Sequence, residues 1–187
     1  LEARIKKLEK KYPDGDMPDI ASLKELKNAL ELITPADFSR YAKLIALLKS
    51  QEYGWAPSKN DDRLVIFTER IETMRYLAEN LKKDLGLKDN QLEVMHGGMS
   101  DKELQRIVDE FGRAESHIRV IVASDVASEG INLHYLSHRL IHFDIPWSLM
   151  VFQQRNGRID RYGQHEQPDI RYMLIDSDNP RIKGDAR

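Results

Sequence analysis

The apolar positions fall into two regimes along the chain. From residue 1 to about 60 they recur at helical spacing, broken at Pro13-Asp14-Gly15-Asp16 and Asn60-Asp61-Asp62, with no run that reads as a strand. Thr34-Pro35-Ala36-Asp37 has the form of a capping box with proline at the first helical position, and Phe38, Tyr41, Leu44, Ile45 and Leu48 follow at helical spacing. This region is expected to be a helical extension or linker that packs on the domain after it, and nothing in it points to chemistry.

From Arg63 onward, strand-like and helix-like stretches alternate. Leu64-Val65-Ile66-Phe67 is a short apolar run of the kind that fills a doubly covered parallel sheet. Ile71, Met74, Leu77, Leu81 and Leu85 then mark a helix that stops at Gly86. Leu92-Glu93-Val94-Met95 reads as the next strand. Ser100-Asp101-Lys102-Glu103 is a second capping box, opening a helix with Leu104, Ile107, Val108 and Phe111 on its apolar stripe. Three more strands are expected at 118–123, 140–143 and 170–175, with a helix over about 148–159 between the last two. The alternation predicts an α/β fold: an open parallel sheet flanked by helices over 61–187, preceded by the extension over 1–60. In such sheets ligands sit at the carboxyl ends of the strands. A polar cluster follows each strand there: Thr68-Glu69-Arg70, His96-Gly97-Gly98, Ser124-Asp125 and Asp144-Ile145-Pro146-Trp147.

Composition narrows the options. The 187 residues, 41% hydrophobic and 32% charged, suit one globular domain with a helical appendage. With no cysteine, disulfides and thiolate metal sites are excluded. The six histidines do not form an H-E-x-x-H or similar spacing, so no metal site is expected from this chain. A formal net charge of −2 means that any grip on nucleic acid must be local. No run of about 18 apolar residues and no signal pattern occurs, so no membrane partner is expected. The chain opens at Leu1 inside a helical pattern and closes at Arg187 without a terminating element, as a fragment of a larger protein would.

Three segments carry candidate chemistry. Arg155, Arg158 and Arg161 are spaced by three and, on one helix, would lie near a single face, drifting by about 60° per step. Their planar forks suit phosphate oxygens, although a surface helix with three arginines is commonplace, and pairing with Asp160 or Glu166, or plain solvation, explains it on spacing alone. Gly157 would allow close approach of a backbone or ligand, and Gly163-Gln164 would end the helix. The segment from Ala123 to Leu133 passes from a buried strand into small polar residues. It reads either as a turn whose amides and Ser124 or Ser128 hydroxyls hold phosphate or ribose, or as a loop satisfying its own backbone. His96-Gly97-Gly98-Met99 precedes a capped helix and reads either as an anion cradle or as a turn needing glycine for geometry alone. No G-x-x-x-x-G-K-[ST] loop occurs. Asp109-Glu110-Phe111-Gly112 lies at the end of an amphipathic helix and is discarded as a metal box. The chain has parts for a γ-phosphate and a polyanion, not for holding ATP by itself.

Taken together, these segments resemble the C-terminal RecA-like lobe of superfamily 2 helicases, of the Swi/Snf type and most like its bacterial RapA-like branch. The likeness runs from about Arg63 to Asp176 in the family's order. Leu64 to Arg70 resembles the fourth helicase motif, and His96-Gly97-Gly98-Met99-Ser100 the H-x-x-M-S turn. Ala123 to Leu133 resembles the fifth motif, and Phe143-Asp144-Ile145-Pro146-Trp147 the aspartate–proline–tryptophan stretch. Gln154-x-x-Gly157-Arg158-x-x-Arg161-x-Gly163-Gln164 resembles the sixth motif. Two positions depart from the pattern: Ser148-Leu149 stands where Asn-Pro is frequent, and Asn156 where an apolar residue is usual.

The resemblance implies roles. Arg158 and Arg161 would reach the γ-phosphate of ATP, with Arg161 as the finger, and Gln154 would order that interface. Glu129, Gly130, Asn132 and Gly157 would border the nucleotide. Thr68, His96, Gly97, Gly98 and Ser124 would touch the sugar–phosphate backbone of DNA, double-stranded in the Swi/Snf case. ATP and Mg2+ would be bound mainly by the first RecA-like lobe of the same polypeptide, which this chain lacks. The resemblance further implies a cytoplasmic, nucleoid-associated bacterial ATPase, and that this chain alone is inactive. Two other readings are a lobe of a strand-separating DNA or RNA helicase, and a motor-derived module that binds nucleic acid or protein without hydrolysis.

Overall fold

The computed structural model describes residues 1–13, 18–34, 37–125 and 131–176. The chain divides into two compact units, Leu1–Ala42 and Lys43–Arg187. In the first, α1 (Glu2–Lys11) and α2 (Pro18–Glu31) lie side by side, joined by ion pairs of Lys24 with Glu9 (2.6 Å) and Lys27 with Glu2 (3.4 Å). The reversed order of those pairs makes the helices antiparallel. α3 (Ser39–Leu48) spans the division. It starts later than the sequence pattern predicts, although the Asp37 carboxylate does accept from the Thr34 amide (2.8 Å) and hydroxyl (2.7 Å). Pro35 and Ala36 lie outside the described residues.

The second unit is built on five strands: β1 (Leu64–Phe67), β2 (Leu92–Met95), β3 (Val120–Ala123), β4 (Arg139–His142) and β5 (Asp169–Tyr172). All pair in parallel, in the order β2-β3-β1-β4-β5. The first four lie within two residues of their predicted bounds, and β5 ends three residues earlier than predicted, at Tyr172. β1 and β3 are buried at every position, whereas the edge strand β5 is half-buried to exposed. That gradient is why β1 and β3 are uninterrupted apolar runs and the edge strands are not.

Helices cover the sheet. α5 (Asp101–Phe111) is set by the expected capping box: Ser100 N–H and Oγ donate to the Glu103 carboxylate at 2.9 and 2.8 Å. Its Ile107, Val108 and Phe111 join Val65, Phe67, Ile121, Ala123 and Leu140 in one apolar cluster. α4 (Ile71–Asp84) buries Met74, Leu77 and Leu81 and lies against β2 and β3. α6 (Leu149–Asn156) follows β4. At the amino ends of the strands, Arg139 of β4 donates to the Asp62 carboxylate (2.6 Å) and the Tyr53 carbonyl (2.7 Å), tying the segment before β1 to the sheet.

The strand order fixes where a site can form. The chain leaves β1 toward β2 on one side and leaves β4 toward β5 on the other. The turns after these adjacent strands therefore diverge and open a crevice at their carboxyl ends.

Candidate nucleotide and nucleic-acid edge

The centre of this edge is Arg155, on the last turn of α6 and only 1% exposed. Asp125 and Asp144 each stand two residues past the ends of β3 and β4, the strands on either side of β1. Two strand spacings are about 9.6 Å, a gap that one guanidinium can bridge. Arg155 does so. Its Nε and one terminal nitrogen donate to the two Asp125 oxygens at 2.5 and 2.9 Å, and the other terminal nitrogen donates to the Asp144 carbonyl at 2.8 Å. The guanidinium lies over the Phe67 ring at the end of β1, 5.5 Å from its centre. Asp144 also accepts from the Thr68 hydroxyl (2.5 Å) and the Glu69 amide (3.0 Å). One buried cation and two carboxylates thus join the turns after β1, β3 and β4.

The three arginines do not share one helical face. α6 ends at Asn156, capped by Gly157, and Arg158 and Arg161 lie in the turns beyond it. The backbone tightens there: Arg158 N–H and Ile159 N–H bond three residues back, to the Arg155 and Asn156 carbonyls (both 3.1 Å), and Gly163 takes a positive φ of 95°. Arg155, still on the helix, is buried, while Arg161, beyond it, is exposed. Gly157 has right-handed backbone angles, and a Cβ there would meet its own helix at an ordinary 3.4 Å from the Gln153 carbonyl. Its geometry does not demand glycine.

The fifth and sixth motif segments nonetheless form one surface. Arg158 donates to the Ile131 carbonyl (3.3 Å) and its own carbonyl accepts from Leu133 N–H (3.1 Å). Arg161 donates to the Asn132 side-chain oxygen. The Gln164 amide group bonds the carbonyls of His134 (3.2 Å) and Ser137 (2.9 Å). His134, buried beside the Arg161 cation, has its pKa held below the usual histidine value, first by burial and then by that charge. Gln154 is exposed on α6. Glu129 and Gly130 lie outside the described residues.

The residues expected at the nucleic-acid backbone are placed differently from one another. Gly97 and Gly98 are exposed in the turn between β2 and α5, and His96 is half-buried. Gly98 N–H donates to His96 Nδ1 (3.2 Å) and Met99 N–H to the His96 carbonyl (3.0 Å). The start of α5 is closed by Glu103, whose carboxyl is held below its usual pKa by the Ser100 bonds. The amides of Gly98, Met99, Ser100 and Glu103 are thus occupied within the turn itself. Ser124 is buried, and so is Thr68, whose hydroxyl is engaged by Asp144. Among the side chains of the turn after β1, the exposed ones are Glu69 and Arg70.

Sequence reasoning missed His142, which is fully buried at the end of β4. Its ring stacks on Phe152, 4.7 Å between centres, and Nε2 meets the Asn156 side-chain oxygen at 2.7 Å. Burial pushes its pKa down to about 4. A histidine inside an otherwise apolar strand was the available signal, but only the fold shows what surrounds it. Among the described residues, no three His, Asp or Glu side chains converge on a metal position, and no helix is long and apolar enough to cross a membrane.

Comparison with known proteins agrees with this architecture. The family model for the helicase conserved C-terminal domain matches residues 39–163. The RNA polymerase-associated protein RapA of Vibrio campbellii is 31% identical over 112 residues, 60% of this chain and 11% of that protein. The uncharacterized ATP-dependent helicase YqhH of Bacillus subtilis is 35% identical over 115 residues, 62% of this chain and 19% of that protein. The chain thus corresponds to a small part of these relatives. Among solved structures, the C-terminal part of the Fun30 ATPase domain superposes with a TM-score of 0.59 at 22% identity, over 71% of this chain and 39% of that one. The chain belongs to the helicase conserved C-terminal domain family, has its RecA-like fold, and is similar over this region to RapA and YqhH.

Proposed function

We propose that this lobe is the second half of an ATP-dependent DNA translocase of the Swi/Snf type, acting on ATP and Mg2+ bound mainly by a first lobe of the same polypeptide. The observation that carries this reading is the joining of the fifth and sixth motif segments. Arg158 and Arg161 are anchored on 131–133, and Arg161 is exposed with its guanidinium resting on a neutral amide. An arginine held this way can exchange a weak neutral partner for a phosphate oxygen at little cost.

The chain's own residues fit a γ-phosphate better than a metal. Two arginines stand on one loop, while no metal-holding cluster occurs among the described residues. Bound ATP would supply the phosphoryl group whose transfer to water drives the motor. Arg161 would neutralise charge developing on that group, Arg158 would assist, and Gln154, Glu129, Gly130, Asn132 and Gly157 would line the lobe's side of the nucleotide. The exposed His96–Gly98 turn would meet the DNA backbone, positioning the duplex without reading its sequence. Thr68 and Ser124, being buried, would serve that contact by shaping their turns.

The test is Arg161→Ala in the full-length protein. Arginine fingers are worth roughly 10³ to 10⁵ in rate where GTPases use them, so DNA-stimulated hydrolysis should be nearly abolished while DNA binding persists. Hydrolysis within about threefold of wild type would sink the assignment and favour a non-hydrolysing module. Triplex displacement without strand separation is expected, and the reverse would make this a strand-separating helicase. The 187 residues alone should show no ATP turnover.

A further inference from the structure

Two of the residues that organise the edge, Arg155 and Asn156, meet at a third. Arg155 can only donate hydrogen bonds, so the His142 Nδ1 that faces it at 3.4 Å must present a lone pair. The ring proton is then on Nε2, which donates to the Asn156 side-chain oxygen at 2.7 Å. Each nitrogen of a neutral imidazole thus has a different partner on α6. Those partners lead to different parts of the edge. Arg155 holds the turns after β3 and β4 through Asp125 and Asp144. The Asn156 carbonyl accepts from Ile159 and Asp160, and so starts the turn that carries Arg158 and leads to Arg161.

We propose that His142 is a positioning residue for the motor reaction. As the Nε2–H tautomer, it fixes the arginine-bearing turn relative to the carboxyl edge of the sheet by gripping Arg155 and Asn156 together. This rests on the arginine assignment proposed above. The surroundings suit the role. Phe152 of α6 stacks on the ring, and Phe67 of β1 and Tyr172 of β5 flank it at 6.5 and 5.9 Å. The charged groups facing it are Arg155 from α6, Asp125 from the turn after β3 and Asp144 from the turn after β4. Burial and the Arg155 cation both oppose a charged ring, outweighing the two carboxylates and the Asn156 bond. A protonated Nδ1 would point a donor at a guanidinium that has no acceptor to give.

Two experiments test this. In the first, nitrogen-15 NMR of the 187-residue chain should show His142 neutral at about pH 6, with its proton on Nε2. A ring charged there, or protonated on Nδ1, would overturn the proposal. The second measures steady-state ATP hydrolysis by the full-length protein. His142→Phe keeps the stacking but removes both polar contacts, and it should lower kcat about 10- to 100-fold, as small misplacements of reacting groups do, with little change in KM for ATP. His142→Gln, able to restore the donor toward Asn156, should recover part of that loss. If His142→Phe does not fold, Gln and Asn variants read the same split. Full kcat in the His142 variants beside an inactive Arg161→Ala overturns this inference alone. Full activity in Arg161→Ala as well overturns the arginine assignment on which it stands.

Discussion

Replacing Arg155 with methionine removes the buried cation while keeping most of its aliphatic volume. The guanidinium makes two charge-assisted bonds to Asp125, at 2.5 and 2.9 Å, and one to the Asp144 carbonyl at 2.8 Å, with its side chain 1% exposed. Removing one partner of a fully buried ion pair costs about 3–5 kcal/mol. Here the carboxylate side chains keep 27% and 19% exposure, so water can re-solvate part of the orphaned charge. That places the loss near the lower end, about 3 kcal/mol, with roughly 0.5–1 kcal/mol more from the contact with Phe67. For a chain of this length the melting temperature should fall by roughly 10 °C. Urea denaturation followed by circular dichroism gives the free energy directly, with an unchanged dependence on urea if only the native state is affected. Arg155→Lys keeps the charge but not the fork, so it should lose about half as much. A loss below about 1 kcal/mol for the methionine variant would mean that Arg155 does not hold the edge together.

Two further outcomes concern charge inside the lobe. Because the folded pKa of His142 lies near 4, below the ordinary 6.5, the unfolded chain takes up a proton that the folded one refuses. Stability should therefore be complete above about pH 6.5 and decline as pH falls toward 4, by about 3 kcal/mol from this residue. His142→Asn should flatten that part of the profile in denaturation at stepped pH, and an unchanged slope would contradict it. Arg63 is fully buried, and its guanidinium donates to the main-chain carbonyls of Asn60, Glu110, Phe111, Arg113 and Ser116. It closes the carboxyl end of α5, so Arg63→Met should cost about 2–3 kcal/mol by leaving buried carbonyls without donors. Equal urea midpoints for variant and wild type would rule that out.

The parallel sheet and the places of its covering helices were legible in the sequence, though not where α3 starts or α6 ends. β1 and β3 were legible because a doubly covered parallel strand has to be an unbroken apolar run, and β2, β4 and β5 because their shorter apolar stretches alternate with helical patterns. The start of α5 was legible because Ser100 and Glu103 satisfy each other within four residues. The motif order from Leu64 to Gln164 was enough to indicate the family. Spacing misled at Arg155, Arg158 and Arg161, because three residues per step reads as a helix whether or not the backbone continues one. The helix ends at Asn156, with Arg155 buried on its last turn and Arg161 exposed in the turns beyond it. Thr68 likewise looked like a surface hydroxyl and is instead bonded to Asp144, a residue 76 positions away. These assignments belong to the tertiary structure. The partners of Arg155 and Thr68 come from the turns after different strands, brought side by side only by the order β3-β1-β4, and no local pattern carries the sign or distance of a charge that far along the chain.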